Sequence, residues 1–483
     1  MTVILDSRDD FTLDTLRRVA WQGEPVAFSA RCRQMMEQSR ASFMTMLESD
    51  PDQFVYGVTS GYGMGALERL DAEGRQRVAK RPPYSKGTGL GMRAPDRVVR
   101  AMILCRLTNY VDGWAAISPE VAQRVADKLD GRPLPEVGLE GQVGAGEVGP
   151  CLAIIWDLVG PDCGEKDGGC LINGSPCASA LIGDAALRAR TRLDLVCRVL
   201  ALSIEAVNAP LEAYDPALAA LWDDEHEAAA LAALNGLLAG ARPTGRRAFQ
   251  APVSWRVIPR VLGQTFRAVA EAERVATVAL RAITDNPVYL QPEPGAPFGR
   301  ALSTGGYHNG AAYPALNWLA MAWGDLTGIV LREITKLHRN EVTELPDRLP
   351  LGEGGSTSGL AHGPSSLGVR VREFATPTFL PQDESGSTQD DVAAPTFDAY
   401  VKEVRASEMF DHSLALLAAT ASQALAVAGR DPAPPLRPFL AGIRRTYPLV
   451  DGLRDLGADG DRLAAALSRA VVSGDLDLTE ASS

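Results

Sequence analysis

The chain contains 483 residues, of which 46% are hydrophobic, and it carries a formal net charge of −12 with a pI near 5.1. This acidity argues against the basic face with which proteins bind nucleic acids. The sequence has no uninterrupted apolar run of 18 residues, and its first residues lack the charged-then-apolar order of a signal peptide. We therefore expect a cytoplasmic protein that acts on a small molecule, with neither a membrane nor a nucleic-acid partner.

Seven cysteines are an odd number in a large chain, which agrees with a reducing compartment. Cys163, Cys170 and Cys177 recur at a regular interval, and such a cluster could hold a metal ion. However, no Cys-x-x-Cys pair accompanies them, and the nearest histidine in the sequence is His226. Ordinary thiols explain the pattern better, and we predict no metal site.

The N-terminal part combines helix with glycine-rich loops. Apolar residues recur at helical spacing through residues 9–50, with Thr12 or Asp14 as the cap, which predicts helix there. Two loops follow, the first reading Val-Tyr-Gly-Val-Thr-Ser-Gly-Tyr-Gly around Tyr56 and the second Tyr-Ser-Lys-Gly-Thr-Gly around Lys86. Taken alone, Tyr56 could be a packed turn residue and Lys86 a solvated surface lysine.

A third loop occupies residues 141–150, which read Gly-Gln-Val-Gly-Ala-Gly-Glu-Val-Gly-Pro. Glycine permits backbone conformations and close approaches that a Cβ atom blocks. Because the apolar residues 152–156 follow at once, the pattern predicts a backbone element held at the N-terminus of a helix. An ordinary buried connection would have the same composition.

The rest of the chain is predicted to be mostly helical. Apolar residues at i, i+3 and i+4 spacing form stripes in residues 193–207, 261–280 and 316–337. Stripes of this length are typical of a core or of an interface in a helix bundle. We predict a mainly α fold with two domains: residues 1–190, which carry the loops, and residues 191–483, which form a long-helix bundle and a C-terminal helical region.

Six separated motifs resemble, in order and spacing, those of the aromatic amino-acid ammonia-lyases and aminomutases, the histidine and phenylalanine ammonia-lyase family. The family's glycine-rich loop reads Gly-Ser-Val-Gly-Ala-Ser-Gly-Asp-Leu-Ala-Pro, which is similar to residues 141–150. The resemblance covers residues 10–430. It implies a mainly α fold of long bundled helices, with a smaller loop-rich N-terminal domain. It also implies a homotetramer in which each site gathers loops from several subunits.

The family's Ala-Ser-Gly cyclises with loss of two waters to an electrophilic methylidene imidazolone, MIO. In this chain Ala145 is followed by Gly146 and Glu147. With a one-residue deletion, the residues from Gly146 onward match Gly-Asp-Leu-Ala-Pro and the serine is missing. Without a gap, Gly146 replaces the serine. Gly146 has no Cβ and Glu147 has no β-hydroxyl to eliminate, so on either alignment we predict that MIO is absent and that the chain has no cofactor.

The resemblance also assigns roles to residues of the N-terminal part. Tyr56 matches the tyrosine of Tyr-Gly-Ile-Asn-Thr-Gly-Phe-Gly, which implies the catalytic base. Lys86 stands where the family has the histidine of Ser-His-Ala-Ala-Gly-Ile-Gly. A cationic lysine can lower the pKa of a neighbouring phenol, and a buried lysine can form a Schiff base. Asn173 matches the asparagine of Leu-Leu-Asn-Gly-Thr, which binds near the cofactor.

Further positions implied to bind substrate lie later in the chain. Gln250 and Arg256 match Gln-Asp-Pro-Tyr-Ser-Leu-Arg, with Arg256 as the clamp for a carboxylate, a task suited to the planar guanidinium. His308 falls on the phenylalanine of Ser-Gly-Gly-Asn-Phe-His-Gly, which faces the substrate ring. Asp390 takes the place of the glutamate of Ser-Ala-Asn-Gln-Glu-Asp-His.

Three functions remain open on this basis. The first is a cofactor-independent lyase or cyclase that acts by β-elimination or conjugate addition on an activated small molecule, with Tyr56 as base or acid. General acid–base catalysis contributes about 10²–10⁴-fold and does not replace a covalent electron sink, so the substrate must already be activated. The second is a catalytically silent binding or scaffold protein. The third is an enzyme that uses Lys86 as a Schiff-base nucleophile.

Overall fold

The computed structural model describes residues 1–50, 52–80, 89–142, 144–160, 162–247, 249–352, 354–362, 364–382 and 390–479. The described chain is mainly helical and contains long helices, as predicted. Its α-helices are Leu13–Leu16, Ala30–Ser49, Ala72–Lys80, Asp96–Val111, Pro119–Ala126, Val148–Ile155, Asp167–Ile172, Pro176–Ala206, Leu218–Trp222, Glu225–Leu237, Val253–Arg256, Ile258–Arg281, Ala312–Leu337, Asn340–Thr343, Pro364–Phe374, Thr396–Val427, Arg437–Thr446 and Leu456–Ser473.

The β-strands are short and occur as pairs. Val3–Leu5 pairs in parallel with Val26–Phe28, Leu90–Arg93 pairs antiparallel with Gly138–Glu140, and Val288–Leu290 pairs antiparallel with Arg300–Leu302. Each pair joins two segments that lie outside the helices.

The prediction of helix throughout residues 9–50 is wrong in its middle. Thr12 does cap a helix, since its hydroxyl accepts a hydrogen bond from the Thr15 amide, and helix resumes at Ala30–Ser49. Between them lies the strand Val26–Phe28. Gly23 adopts a φ of +75°, and Pro25 disfavours helical geometry at the residue before it, so the chain leaves the helix here.

The predicted apolar stripes face the core. Leu193, Leu200 and Ile204 on the helix Pro176–Ala206 are fully buried, and Leu316, Trp323 and Leu337 on the helix Ala312–Leu337 are equally inaccessible. Residues Asp167–Ala206 would be long and apolar enough to cross a membrane by length and composition, with a mean hydropathy of 1.2. Their apolar window is 94% buried inside the protein, as in the core helix of a soluble protein.

Contacts between Cα atoms divide the chain into two compact units. The first unit contains Met1–Leu187, Ala272–Leu316 and Pro377–Val401. The second contains Arg188–Glu271, Asn317–Thr376 and Lys402–Ser483. The boundary expected after residue 190 lies close to the end of the segment Met1–Leu187. That it separates two folding domains stays a prediction.

The second unit buries ion pairs among its helices. The Arg192 guanidinium donates two hydrogen bonds to the two carboxylate oxygens of Asp411, at 2.8 and 2.9 Å. Arg188 pairs with Glu403 at 2.6 Å, and the other oxygen of Glu403 accepts from the indole of Trp323 at 3.1 Å. Asp411 and Glu403 therefore each have their own arginine, and the bidentate geometry of the Arg192–Asp411 pair compensates much of the cost of desolvation.

Candidate active site

A cavity of about 730 Å³ lies within the first unit. Its wall combines the loop of Tyr56, residues 141–142 and 144–150, the turn at Asn173, residues 303–305 with Tyr307, and Asp390. These segments are far apart in the sequence, and the fold brings them to one place. We take this cavity as the candidate active site because it gathers several of the residues predicted to act on substrate.

Hydrophobic packing fixes the loop of Tyr56. Its neighbours Val55 and Val58 are buried in a cluster with Phe43 and Tyr289, whose rings meet edge to face with centroids 5.3 Å apart. Gly57, which follows Tyr56, has a φ of +66°, and a Cβ atom there would collide with the ring of Tyr62. The chain can therefore turn at this point only with glycine, and the turn leaves Tyr56 half-buried at the cavity.

The Tyr56 phenol has a defined environment. Its oxygen accepts a hydrogen bond from the Gly63 amide at 3.1 Å, and its ring meets that of Tyr62 edge to face at 5.6 Å. Burial raises the pKa of Tyr56, the Gly63 hydrogen bond lowers it, and the negative charge of Asp390 raises it further. The net effect is a raised pKa, so among the described residues the environment favours the protonated phenol near neutral pH.

Asn173 is held by the turn that carries the sequence Thr-Asp-Asn-Pro. It ends the helix Asp167–Ile172, and its side-chain amide donates to the carbonyl of Asn286 at 2.5 Å. Asn286 in turn accepts from the Thr304 amide at 2.8 Å. The turn is anchored from behind, because the Asn109 side-chain oxygen accepts from the amides of Thr284 and Asp285. Asn173 and the segment that begins at residue 303 are thus positioned together.

Glu147 joins the glycine-rich loop to two helices. It immediately precedes the helix Val148–Ile155, and its buried carboxylate accepts from the amides of Cys177 and Ala178 at 2.6 and 2.7 Å. Those two amides belong to the first turn of the helix Pro176–Ala206, where backbone N–H groups have no partner within the helix. The carboxylate therefore caps the long helix and fixes the end of the loop at the cavity wall.

Behind Glu147 lies a cluster of polar groups with no access to bulk water. One guanidinium nitrogen of Arg106 donates to the sulfur of Cys151 at 2.8 Å, and the other donates to the carbonyls of Cys170 and Asn173. Burial and the charge of Cys151 raise the pKa of Glu147 to about 8, although the two amide hydrogen bonds and Arg106 lower it. One arginine is therefore shared by a carboxylate and a thiol that both compete for its charge.

The remaining predicted residues are placed as follows. Ala145, Gly146 and Asp390 line the cavity with Tyr56 and Asn173. Lys86 lies outside the described residues. Gln250 and Arg256 are exposed residues of the second unit and do not contribute to the described lining. His308 is half-buried beside the lining residue Tyr307, and its Nε2 has no hydrogen-bond partner among the described residues.

Three residues at or behind the cavity wall were not predicted from the sequence: Arg106, Cys151 and Tyr307. Arg106 offered one signal, since it is a charged residue within the apolar stretch of the helix Asp96–Val111 and is 3% exposed. A buried charge requires a partner, which points to a polar cluster. Cys151 and Tyr307 offered no local signal, because nothing in their spacing relates them to residues that are distant in the sequence.

Comparison with known proteins agrees with this geometry. The family model for aromatic amino acid lyases matches residues 11–163 and 161–445. Among curated relatives, the histidine ammonia-lyase of Streptomyces avermitilis is 28% identical over 468 residues, which cover 89% of this chain and 88% of the relative. Ammonia-lyases cleave carbon–nitrogen bonds, and this relationship supports a lyase function.

Solved structures share the fold over almost the whole chain. The ergothionase of Treponema denticola, an ergothioneine-degrading enzyme, superimposes with a TM-score of 0.88 at 18% identity and covers 99% of this chain and 100% of its own. The tyrosine aminomutase of Streptomyces globisporus gives a TM-score of 0.85 at 21% identity, with 98% of both chains covered. By the extent of the family match, this chain belongs to the aromatic amino acid lyase family.

Proposed function

We propose that the protein is a lyase that works without MIO, by β-elimination or its reverse, conjugate addition, on a small molecule that is already activated. The observation that carries the proposal is the position of Glu147. Its carboxylate caps the helix Pro176–Ala206, so the residue that follows Ala145 and Gly146 serves the scaffold. This loop does not fit the group that the family forms, because it offers neither a Cβ at position 146 nor a β-hydroxyl at position 147.

The position of Glu147 also bears on the alignment of the loop. In the family's pattern the acidic residue follows the glycine of Ala-Ser-Gly, and here Glu147 follows Gly146 and begins the helix Val148–Ile155. This supports the reading with a one-residue deletion, in which the serine has been lost rather than replaced. A Cβ added to Gly146 would meet the Tyr307 ring at an ordinary 3.6 Å, so space alone does not explain the missing side chain.

Tyr56 is the residue we assign to proton transfer. In the elimination direction its phenolate takes the proton next to an activating group, the C–H electron pair becomes the new double bond, and the leaving group departs with its bonding pair. In the addition direction the protonated phenol returns that proton. The raised pKa of Tyr56 keeps the phenol protonated near neutral pH, which favours its role as an acid unless another group, such as Lys86, stabilises the phenolate.

The charge of the cavity bears on the substrate. The acidic side chains among the described lining residues are Glu147, whose pKa is raised to about 8, and Asp390, whose negative charge raises the pKa of Tyr56. Carboxylates attract cations, so we propose a substrate whose leaving group is an ammonium or another positively charged nitrogen. A cationic leaving group departs neutral, but the substrate must also carry a group that activates the proton to be removed.

We further propose that the protein is a homotetramer and that Arg256 of one copy holds an anionic group of the substrate at the site of another. Gln250 and Arg256 are exposed on the second unit of their own chain, and this exposure supports the proposal because it leaves both side chains accessible to another copy. Light scattering after size exclusion should give about four times 51.4 kDa. A monomer that is stable at high concentration would contradict the shared site.

The first test is the intact mass of the purified protein. We expect the mass of the unmodified sequence, whereas a mass lower by two waters would refute the claim that MIO is absent. The second test is turnover. We expect no urocanate from L-histidine and no cinnamate from L-phenylalanine, whose protons are not activated.

A panel of activated compounds then separates the remaining hypotheses. Ergothioneine, which carries a trimethylammonium leaving group and is degraded by the Treponema enzyme named above, is a suitable first probe. Elimination from any member of the panel, abolished in Tyr56→Phe, would support the proposal. Binding without turnover across the panel would favour the silent binding protein. An adduct on Lys86 that is trapped by borohydride would favour the Schiff-base enzyme.

A further inference from the structure

Two cysteines meet behind the cavity wall. The sulfur atoms of Cys151 and Cys177 and a carboxylate oxygen of Glu147 all lie within 4.8 Å of one another. Cys151 is in the helix Val148–Ile155, and Cys177 is in the first turn of the helix Pro176–Ala206. The pair therefore links the two helices that the Glu147 carboxylate also joins, and neither sulfur is needed for the acid–base role assigned to Tyr56.

The two thiols are not equivalent. Burial alone would raise the pKa of Cys151, but a hydrogen bond from the Cys177 thiol and the charge and hydrogen bond of Arg106 outweigh it and lower the pKa to about 7. Burial and the neighbouring Cys151 raise the pKa of Cys177 well above its ordinary value. Cys151 therefore ionises more readily than the Cys177 thiol beside it, and such a difference suits dithiol–disulfide chemistry.

The other cysteines provide the contrast. Cys32, Cys105 and Cys197 are also buried, and burial raises the pKa of each thiol. The same holds for Cys163 and Cys170. Among the seven free cysteines, Cys151 has both an arginine donor at 2.8 Å and a second thiol beside it. Inert burial is therefore the common situation in this protein, and Cys151 departs from it.

Two thiols and a carboxylate could also suggest a metal site, but their contacts argue against one. The guanidinium of Arg106 already supplies the positive charge at Cys151. Both oxygens of Glu147 accept backbone hydrogen bonds from the helix that they cap. A divalent cation would lie against a guanidinium and would compete with those amides, whereas the Arg106 guanidinium and the Cys177 thiol stabilise a thiolate at Cys151.

We propose that Cys151 and Cys177 form a redox pair that a hydroperoxide converts into a disulfide. The Cys151 thiolate attacks one peroxide oxygen, the O–O bond breaks, and the other oxygen leaves as hydroxide or alkoxide and takes up a proton. The resulting sulfenic acid then condenses with the Cys177 thiol, which forms the S–S bond and releases water. The two sulfurs are oxidised by two electrons in total, and the peroxide is reduced by two.

The pair lies directly behind residues that line the cavity, which is the side from which a small peroxide would approach. Pro150 and Glu147 line the cavity, Pro150 directly precedes Cys151, and Glu147 lies against both sulfurs. Formation of the disulfide removes the charge of Cys151, which is one of the causes that raise the pKa of Glu147. The redox state of the pair would thus change the charge of a side chain on the cavity wall.

The experiment counts thiols in the full-length protein. The protein is reduced with a phosphine, freed of reductant, treated with hydrogen peroxide, then denatured and alkylated with N-ethylmaleimide. We expect seven alkylated cysteines without peroxide and five after it, since two of the seven enter the bond. Peptide mapping without reductant should identify a Cys151–Cys177 cross-link, and dithiothreitol should restore all seven.

Three variants identify the pair. Cys151→Ala should abolish the peroxide-dependent cross-link, and Cys177→Ala should leave an oxygenated Cys151 without a cross-link. Cys197→Ala is the matched control, because Cys197 is buried in the same helix as Cys177 and its loss should leave the cross-link intact. Peptide mapping of the unmutated protein decides the question even if a variant fails to fold.

Three results would overturn the proposal. One is oxidation of Cys151 without a bond to Cys177, and another is a folded protein that keeps seven free thiols after peroxide treatment. The third is stoichiometric zinc in the purified protein that is lost in Cys151→Ala, which would make the cluster a metal site. The proposal does not depend on the lyase activity, since none of these measurements uses a substrate.

Discussion

Buried charges are arranged differently among the helices of the second unit and beside the cavity of the first. In the second unit Arg192 binds both oxygens of Asp411, and Arg188 pairs with Glu403, so each anion has its own cation. Beside the cavity one guanidinium, that of Arg106, serves both Cys151 and Glu147. Matched pairs keep one ionisation state over a wide pH range, whereas a shared cation leaves groups that titrate near neutral pH. The comparison separates buried charges that keep one ionisation state from a thiol and a carboxyl group whose ionisation changes near neutral pH.

The largest expected effect is loss of activity at the cavity without loss of fold. Tyr56→Phe should lower kcat/KM by about 10²–10⁴-fold, the range of general acid–base catalysis. Its stability should fall by no more than about 1 kcal/mol, since it loses one hydrogen bond from Gly63. Tyr447→Phe is the control, because that phenol lies in the second unit and has no hydrogen-bond partner among the described residues. Full activity in Tyr56→Phe would remove our assignment of proton transfer.

Variants of the buried ion pairs in the second unit should lower the stability of the protein. Arg192→Met leaves Asp411 as an uncompensated buried anion and should lower the free energy of unfolding by about 3–5 kcal/mol. The double variant Arg192→Met with Asp411→Leu should regain most of this loss. Arg300→Met, which breaks an exposed pair with Glu293, should cost less than about 1 kcal/mol. Urea denaturation measures all three, and equal losses in Arg192→Met and Arg300→Met would contradict the distinction.

Glu333 is a buried acid of the second unit that, unlike Asp411 and Glu403, has no arginine partner among the contacts described. Burial raises the pKa of Glu333 well above its ordinary 4.5, against the hydrogen bond from Ser203 at 2.7 Å. Because the pKa of Glu333 is higher in the folded state than in the unfolded state, the protonated side chain contributes its full stabilisation below the pKa of the unfolded state. This contribution is lost as pH rises through the pKa of the folded state.

Glu333→Gln should therefore gain stability relative to the unmutated protein as pH increases from about 4 to about 9, by about 1.4 kcal/mol for each pH unit in which only the unfolded state is ionised. Melting temperatures of both proteins across this range provide the measurement. A stability difference that does not change with pH would show that Glu333 is ionised in the fold.

The smallest effect concerns the charge beside Tyr56. Asp390 raises the pKa of Tyr56, so Asp390→Asn should move the alkaline rise of the elimination rate to lower pH by about one unit or less. Lys86→Met should move it to higher pH if Lys86 stabilises the phenolate. Profiles of rate against pH for the two variants test both signs, and a shift in the same direction in both would contradict the electrostatic assignment.

Much of the fold could be predicted from the sequence, because a helix is encoded by the spacing of apolar residues within a short segment. The stripe of residues 316–337 recurs at helical spacing, and its residues are buried as expected. The prediction of a continuous helix in residues 9–50 was wrong where the strand Val26–Phe28 pairs with Val3–Leu5. That pairing joins two segments through hydrogen bonds that no local pattern encodes, although Gly23 and Pro25 marked the break.

The candidate site could be predicted only in part. Tyr56, Asn173 and Asp390 were identified through motifs, and the structure brings them to one cavity. Gln250 and Arg256 were identified in the same way, yet they are exposed on the second unit of the same chain. We propose that another copy of the chain supplies these two residues to the site, and a motif in the sequence does not say which copy a residue acts from.

By itself the sequence determined that the glycine-rich loop has no serine hydroxyl after Ala145 and no Cβ at position 146, since these are properties of covalent composition. It also determined the helical segments, through the repeat of apolar residues. The tertiary structure alone decided that Glu147 caps the helix Pro176–Ala206 and that Arg106 reaches the sulfur of Cys151. These contacts join residues 30 to 45 positions apart, and they depend on how whole helices pack rather than on any spacing along the chain.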